Sequence, residues 1–270
     1  MNARFGSGLM AVAVMLALGS ARAADVKTKE ITYKQGDTEL TGFFAWDDAA
    51  KGKRPGVLVV HEFWGHNEHA RNQAKRLAEA GYVAFALDMY GKGKVTTHPE
   101  DAQKFMAEAL KDAAVMTARF NAALEQLKKD PHVDPEKIAA IGYCFGGRVV
   151  TNMARSGADL DAVVSFHGAL DTQSPVEKGK VKARVLVCTG GADPLVTADT
   201  VQTFEKQMKD AGAKVEVITY PGVKHSFTNP DVDKAGMDAA AYNADADKKS
   251  FAAMLKMFDE VFGTSKPAGQ

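Results

Sequence analysis

Short apolar runs recur along this chain, and most are followed by a stretch whose apolar positions return every three or four residues. The runs lie at 57–61, 82–88, 137–142, 161–166, 183–190 and 214–220. Runs this short, rich in β-branched and small apolar residues, predict strands covered on both faces. Asn67 to Ala80, Pro99 to Leu127, Thr197 to Ala211 and Lys248 to Phe262 keep helical spacing. Pro99 suits a first helical turn, Thr197 a cap, and Gly81 and Gly212 stops. Within 99–127, Phe105, Met106, Met116, Phe120 and Leu124 read as one core-facing stripe, with no sign of a cofactor site. Near the start, Thr28 to Tyr33 and Asp37 to Trp46 predict a hairpin turning at Gln35-Gly36. Its alternation is incomplete, because Phe43 and Phe44 are adjacent. Eight strands alternating with helices predict a doubly wound, mostly parallel α/β sheet with an antiparallel edge.

The 270 residues, 46% hydrophobic and 25% charged, suit a single domain with a large core. Net charge is zero and no basic patch stands out, so no nucleic-acid partner is expected. The first residues stand apart. Arg4, the apolar run Leu9 to Leu18 and Ala21-Arg22-Ala23 predict a signal peptide over 1–23, cut before Ala24. The run is short for a membrane span, so no stable membrane anchor is expected. Residues 24–270 then form one domain. Cleavage removes Arg4 and Arg22 and no acid, which turns the balance of 34 basic and 34 acidic residues into a net charge of −2. Export would place Cys144 and Cys188 in an oxidising setting. Cys188 lies inside an apolar strand run and is expected to stay a free thiol.

The candidate chemistry centres on Gly142-Tyr143-Cys144-Phe145-Gly146-Gly147, between a predicted strand and a helix. This is the G-x-S-x-G nucleophile turn with sulfur in place of oxygen. A helix N-terminus beside the sulfur favours its negative form. Asp193 follows the strand at 183–190, in the turn Gly190-Gly191-Ala192-Asp193-Pro194. His225 lies in the loop after the strand at 214–220. Nucleophile, acid and histidine in that order are the sequence of an α/β-hydrolase fold. His225 would take the thiol proton and return it to the leaving group, while Asp193 orients the ring. Glu62 opens the loop after the strand at 57–61, where an oxyanion-binding N–H arises in such folds. Backbone N–H groups of Phe63 and Phe145 are the expected donors. His167, at another strand end, could lie near the site, though its first reading is a loop histidine.

With these motifs the chain resembles the dienelactone hydrolase family of α/β-hydrolases, from about Glu39 to Phe262. The matching stretches are His61-Glu62-Phe63-Trp64-Gly65, Asn67, Arg71, Gly81-Tyr82, Asp88-Met89-Tyr90-Gly91, the segment 142–147, Gly191-Ala192-Asp193, Tyr220, Gly222 and His225-Ser226-Phe227. The resemblance implies hydrolysis of lactones and esters through Cys144, Asp193 and His225, with no metal and no organic cofactor. It also implies that Glu62 contacts the resting thiol and yields when substrate binds. Dienelactone-specific members hold the substrate carboxylate with arginines, where this chain offers Lys92 and Asn229. A lysine does not reproduce a bidentate arginine fork, so Lys92 is only a weak candidate for substrate binding. The periplasm is the expected compartment, a small ester or lactone the expected partner, and a monomer the expected state. A broader carboxylesterase or thioesterase is the alternative enzyme. A non-enzymatic binding protein on the same fold is the alternative class.

Overall fold

The computed structural model describes residues 23–263. Residues 1–22, which hold all but the last residue of the expected leader, and 264–270 lie outside the described residues. The elements follow the alternation of the apolar runs. The chain opens with β1 (Val26–Gln35) and β2 (Thr38–Asp47). It continues through β3 (Arg54–Val60), α1 (Glu68–Glu79) and β4 (Val83–Leu87), then α2 (Pro99–Leu110), α3 (Ala113–Lys129) and β5 (Val133–Tyr143). Then come α4 (Phe145–Arg155), β6 (Ala162–Phe166), β7 (Arg184–Gly190), α5 (Ala198–Asp210), β8 (Val215–Tyr220) and α6 (Ala244–Phe262). They build one eight-stranded sheet in the order β1-β2-β4-β3-β5-β6-β7-β8. Strands β3 to β8 run parallel, while β1 and β2 pair antiparallel, and β2 also meets β4 antiparallel.

Both faces of the sheet are covered, which explains the unbroken apolar runs. Leu58, Val60 and Phe85 point to one face, under α3, α4 and α5, where Phe120, Val149 and Phe204 pack. Val57, Val59 and Ala84 point to the other, under α1 and α6, with Leu77, Met254 and Phe258. The adjacent Phe43 and Phe44 are both buried because β2 divides them between these two cores. The hairpin is therefore no half-solvated edge at that point, and strict alternation is not required.

Two helices differ from the sequence expectation. The stretch 99–127 is two helices, α2 and α3. Asp112 breaks it in extended conformation, and its carboxylate accepts from the N–H groups of Ala114 (2.8 Å) and Val115 (3.2 Å). Ala109 and Ala113 stay four residues apart, so the apolar stripe masks this internal cap. The last helix begins at Ala244, ahead of the expected Lys248, because Asn243 caps it by accepting from Ala246 N–H at 2.9 Å.

Candidate active site

β5 ends at Tyr143 and α4 starts at Phe145, so Cys144 makes the turn alone. Its backbone sits at φ 51°, ψ −112°, a region that costs a non-glycine residue about 1–3 kcal/mol. The flanking glycines make the turn sterically possible. A β-carbon on Gly142 would lie 2.1 Å from the Gly146 carbonyl oxygen, and one on Gly146 would lie 2.3 Å from that of Val60. The turn is then clamped. Cys144 N–H donates to the Phe166 carbonyl (3.0 Å), and Gly146 N–H donates to the His61 carbonyl (3.1 Å). The half-buried sulfur stands at the N-terminus of α4, beside N–H groups that have no partner within the helix.

The expected acid and base come from the next strand ends. Asp193 follows β7. Its Oδ1 accepts from the N–H groups of Leu195 (2.8 Å) and Val196 (3.2 Å), which fixes the carboxylate. Its Oδ2 lies 2.7 Å from His225 Nδ1. The His225 loop after β8 is pinned by a main-chain pair: His225 N–H donates to the Ala239 carbonyl, and Ala241 N–H to the His225 carbonyl, both at 3.1 Å. The other ring nitrogen, Nε2, is buried. It has the Cys144 sulfur as its neighbour without an aligned hydrogen bond, a slack usual before substrate arrives. Burial pulls the His225 pKa down. The charge of Cys144, the Asp193 hydrogen bond and the Asp193 charge outweigh it, and the pKa is pushed up to about 10. The ring therefore holds its proton at neutral pH.

His167, in the loop after β6, lies at the site. It is fully buried, adopts φ 41°, and its ring lies 5.2 Å from that of His225. Nδ1 accepts from Cys144 N–H (3.2 Å), and Nε2 faces the Thr228 hydroxyl (2.8 Å). Burial, with His225 adding to it, pushes its pKa well down, so the ring is neutral. It braces the nucleophile turn from behind. Its place after β6, the strand next to β5, was the available signal.

Glu62 follows β3 and is fully buried. The resemblance puts a glutamate here against the resting thiol. In this chain Oε1 accepts from Ser226 Oγ (2.9 Å) and Oε2 from Asn229 Nδ2 (2.6 Å). Asn229, noted in the sequence only for not being arginine, thus holds Glu62. His61 ties the loop down: its Nδ1 lies 2.5 Å from the Glu62 carbonyl, and its Nε2 accepts from Met89 N–H (3.1 Å). Phe63 continues this loop and Phe145 opens α4, so both expected oxyanion donors stand at this end of the sheet. Lys92 is not brought to the triad. Its ammonium lies 3.5 Å from Glu39 and is half exposed, on a cavity it shares with Tyr90, Glu108 and Arg119. Both cysteines are free.

A strained nucleophile turn, an acid and a histidine at the ends of β5, β7 and β8 define an α/β-hydrolase. The chain belongs to the dienelactone hydrolase family, whose model matches residues 40–262. It is 31% identical to Protein usf of Aquifex pyrophilus over 204 residues, 74% of this chain and 86% of that protein. Among solved structures it is similar to P91 from metagenomic libraries, titled a dienelactone hydrolase-like promiscuous phosphotriesterase. That likeness has 36% identity and a TM-score of 0.84, over 87% of this chain and 98% of that one. It is also similar to m3DLH, at 39% identity and a TM-score of 0.83, again over 87% and 98%. The chain is a dienelactone hydrolase-like enzyme acting on ester bonds.

Proposed function

We propose that this enzyme hydrolyses small lactones or carboxylic esters through Cys144, His225 and Asp193, and that it works after export to the periplasm. The observation that carries the catalytic reading is the strained turn at Cys144, backed by a buried histidine whose far nitrogen is held at 2.7 Å by Asp193. The compartment rests on the Arg4, Leu9–Leu18 and Ala21-Arg22-Ala23 pattern.

The thiolate attacks the carbonyl carbon and a C–S bond forms. The N–H groups of Phe63 and Phe145 take the oxygen that gains charge. When the tetrahedral intermediate collapses, the C–O bond breaks and His225 Nε2–H protonates the departing alkoxide. His225 then draws a proton from water, which attacks the thioester. Sulfur leaves as thiolate, carrying the acyl group's bonding pair, and a carboxylic acid is released. Asp193 keeps the ring oriented through both halves and stabilises its charged form. Glu62 modulates the sulfur from the wall of the site, held back by Ser226 and Asn229.

The test is a substrate panel of small lactones, aryl esters and thioesters, assayed with Cys144→Ala beside the wild type. The 36% identical relative is described as a promiscuous phosphotriesterase, so a phosphotriester belongs in the panel. Turnover of lactone or oxygen ester that disappears in Cys144→Ala is the expected result. Full activity in that variant would sink the assignment.

A further inference from the structure

Three segments line an open cavity of about 650 Å³: Trp64 to Arg71, Val95 to Thr97 and Asn229 to Ala235. Cys144 and His225 do not line it. Two of its walls nevertheless continue the loops that carry the chemistry. Trp64 directly follows the expected oxyanion donor Phe63. Asn229 lies four residues past His225 and bonds Glu62. The cavity is thus joined to the loops of the expected reacting centre through Trp64 and Asn229.

The lining says what group the cavity would take. Its two cations are already engaged, Arg71 by Glu30 at 2.6 Å and Lys234 by Asp231 at 2.5 Å. Glu68 lies 4.0 Å from Arg71. With Glu68 and Asp231 also on the wall, two acids match the two cations, and the cavity presents no net positive charge to a carboxylate. Trp64, Val95 and Val232 supply apolar wall. Val95 and Leu195 are the exposed large hydrophobics among the described residues. Both sit on loops at the C-terminal end of the sheet, after β4 and β7, the end that carries the triad. Of the two, Val95 lines the cavity and adds exposed apolar surface to its wall. His66 and His69 add polarity without charge. Both rings are buried and line the cavity, and each Nε2 lacks a protein partner. Burial pushes the His66 pKa down to about 3 and lowers that of His69, so both rings are neutral. Neutral rings give a carboxylate no charge to pair with.

We propose that this cavity takes the part of the substrate remote from the reacting carbonyl, and that this part is uncharged, largely apolar and of aryl size. The proposal rests on the ester-hydrolase reading above and names its substrate class: neutral aryl or alkyl esters, in preference to carboxylate-bearing lactones.

Binding is measured separately from turnover to test it. Calorimetric titration of full-length Cys144→Ala protein with 2-naphthol and with 2-naphthoate reads the cavity without any chemistry. Naphthol should bind at least tenfold tighter. Ala235→Trp, which fills the cavity, and Val95→Asp, which puts charge on its rim, should each weaken naphthol at least fivefold, with circular dichroism confirming the fold. In the otherwise wild-type enzyme, the ratio of kcat/KM for 2-naphthyl acetate to that for methyl acetate should fall at least tenfold in Ala235→Trp. Equal binding of the two probes overturns the proposal. So does naphthol affinity that neither variant changes, or an unchanged rate ratio. Turnover that persists in Cys144→Ala would instead reject the catalytic reading, and the titrations would still report on the cavity.

Discussion

Replacing Asp193 by Asn tests the relay most sharply, because size is kept while one charge is removed. In the structure Asp193 Oδ2 lies 2.7 Å from His225 Nδ1, both side chains being almost wholly buried. His225 is held at about 10 against the pull of burial, and the Asp193 hydrogen bond and charge are among the causes. A hydrogen bond to a charged group contributes roughly 1.5–3 kcal/mol, or about one to two pKa units. The group's pKa is raised, so its proton-donating form prevails at neutral pH and is lost as pH rises through about 10. Wild-type turnover should therefore decline near pH 10. In Asp193→Asn the decline should move down by about one to two pH units. The amide also presents the wrong groups to the ring, so kcat should fall by roughly 10³–10⁴. The assay is kcat/KM for an aryl ester from pH 6 to about 10.5, with circular dichroism at each pH. An upper limb that stays put, or a rate within tenfold of wild type, would refute the pairing of Asp193 with His225.

Iodoacetamide should label Cys144 and spare Cys188, which is fully buried and whose pKa burial pushes up to about 12; peptide mass spectrometry of partly alkylated protein decides this. Gly146→Ala places a β-carbon 2.3 Å from the Val60 carbonyl oxygen and 2.8 Å from that of His61, so it should cost about 2–4 kcal/mol in urea unfolding and most of the turnover. Glu62→Gln should change both the pH dependence of Cys144 alkylation and the rate of peroxide inactivation; profiles identical to wild type would reduce Glu62 to a structural role. Lys92→Ala should leave the rate ratio between matched esters with and without a distal carboxylate within about twofold, since exposed pairs such as Lys92–Glu39 carry little energy.

The layout of the sheet was legible because every central strand is buried on both faces and therefore apolar throughout. The proposed triad was legible because chain order and strand ends constrain it together: Gly142 and Gly146 flank Cys144, and Asp193 and His225 each sit one turn beyond a strand. The rest depended on contacts far apart in sequence. Nothing near Asn229 reveals that its amide reaches Glu62, a partner 167 positions away. His167 looked like any loop histidine until β6 set it behind β5. Asp112 was hidden by a stripe of apolar residues that runs straight across the break it caps.

Three non-glycine residues among those described have positive φ: Cys144, His167 and Ser226. One is the expected nucleophile, one braces its turn, and one holds Glu62. Glycine would relax the backbone at each position. At His167 and Ser226 that gain is offset by the buried hydrogen bonds their side chains make, while at Cys144 it would remove the expected nucleophile. Catalysis and durability are set against each other most directly at Cys144. A campaign to harden this enzyme should hold those three fixed and look for its gains on the helices that cover the sheet.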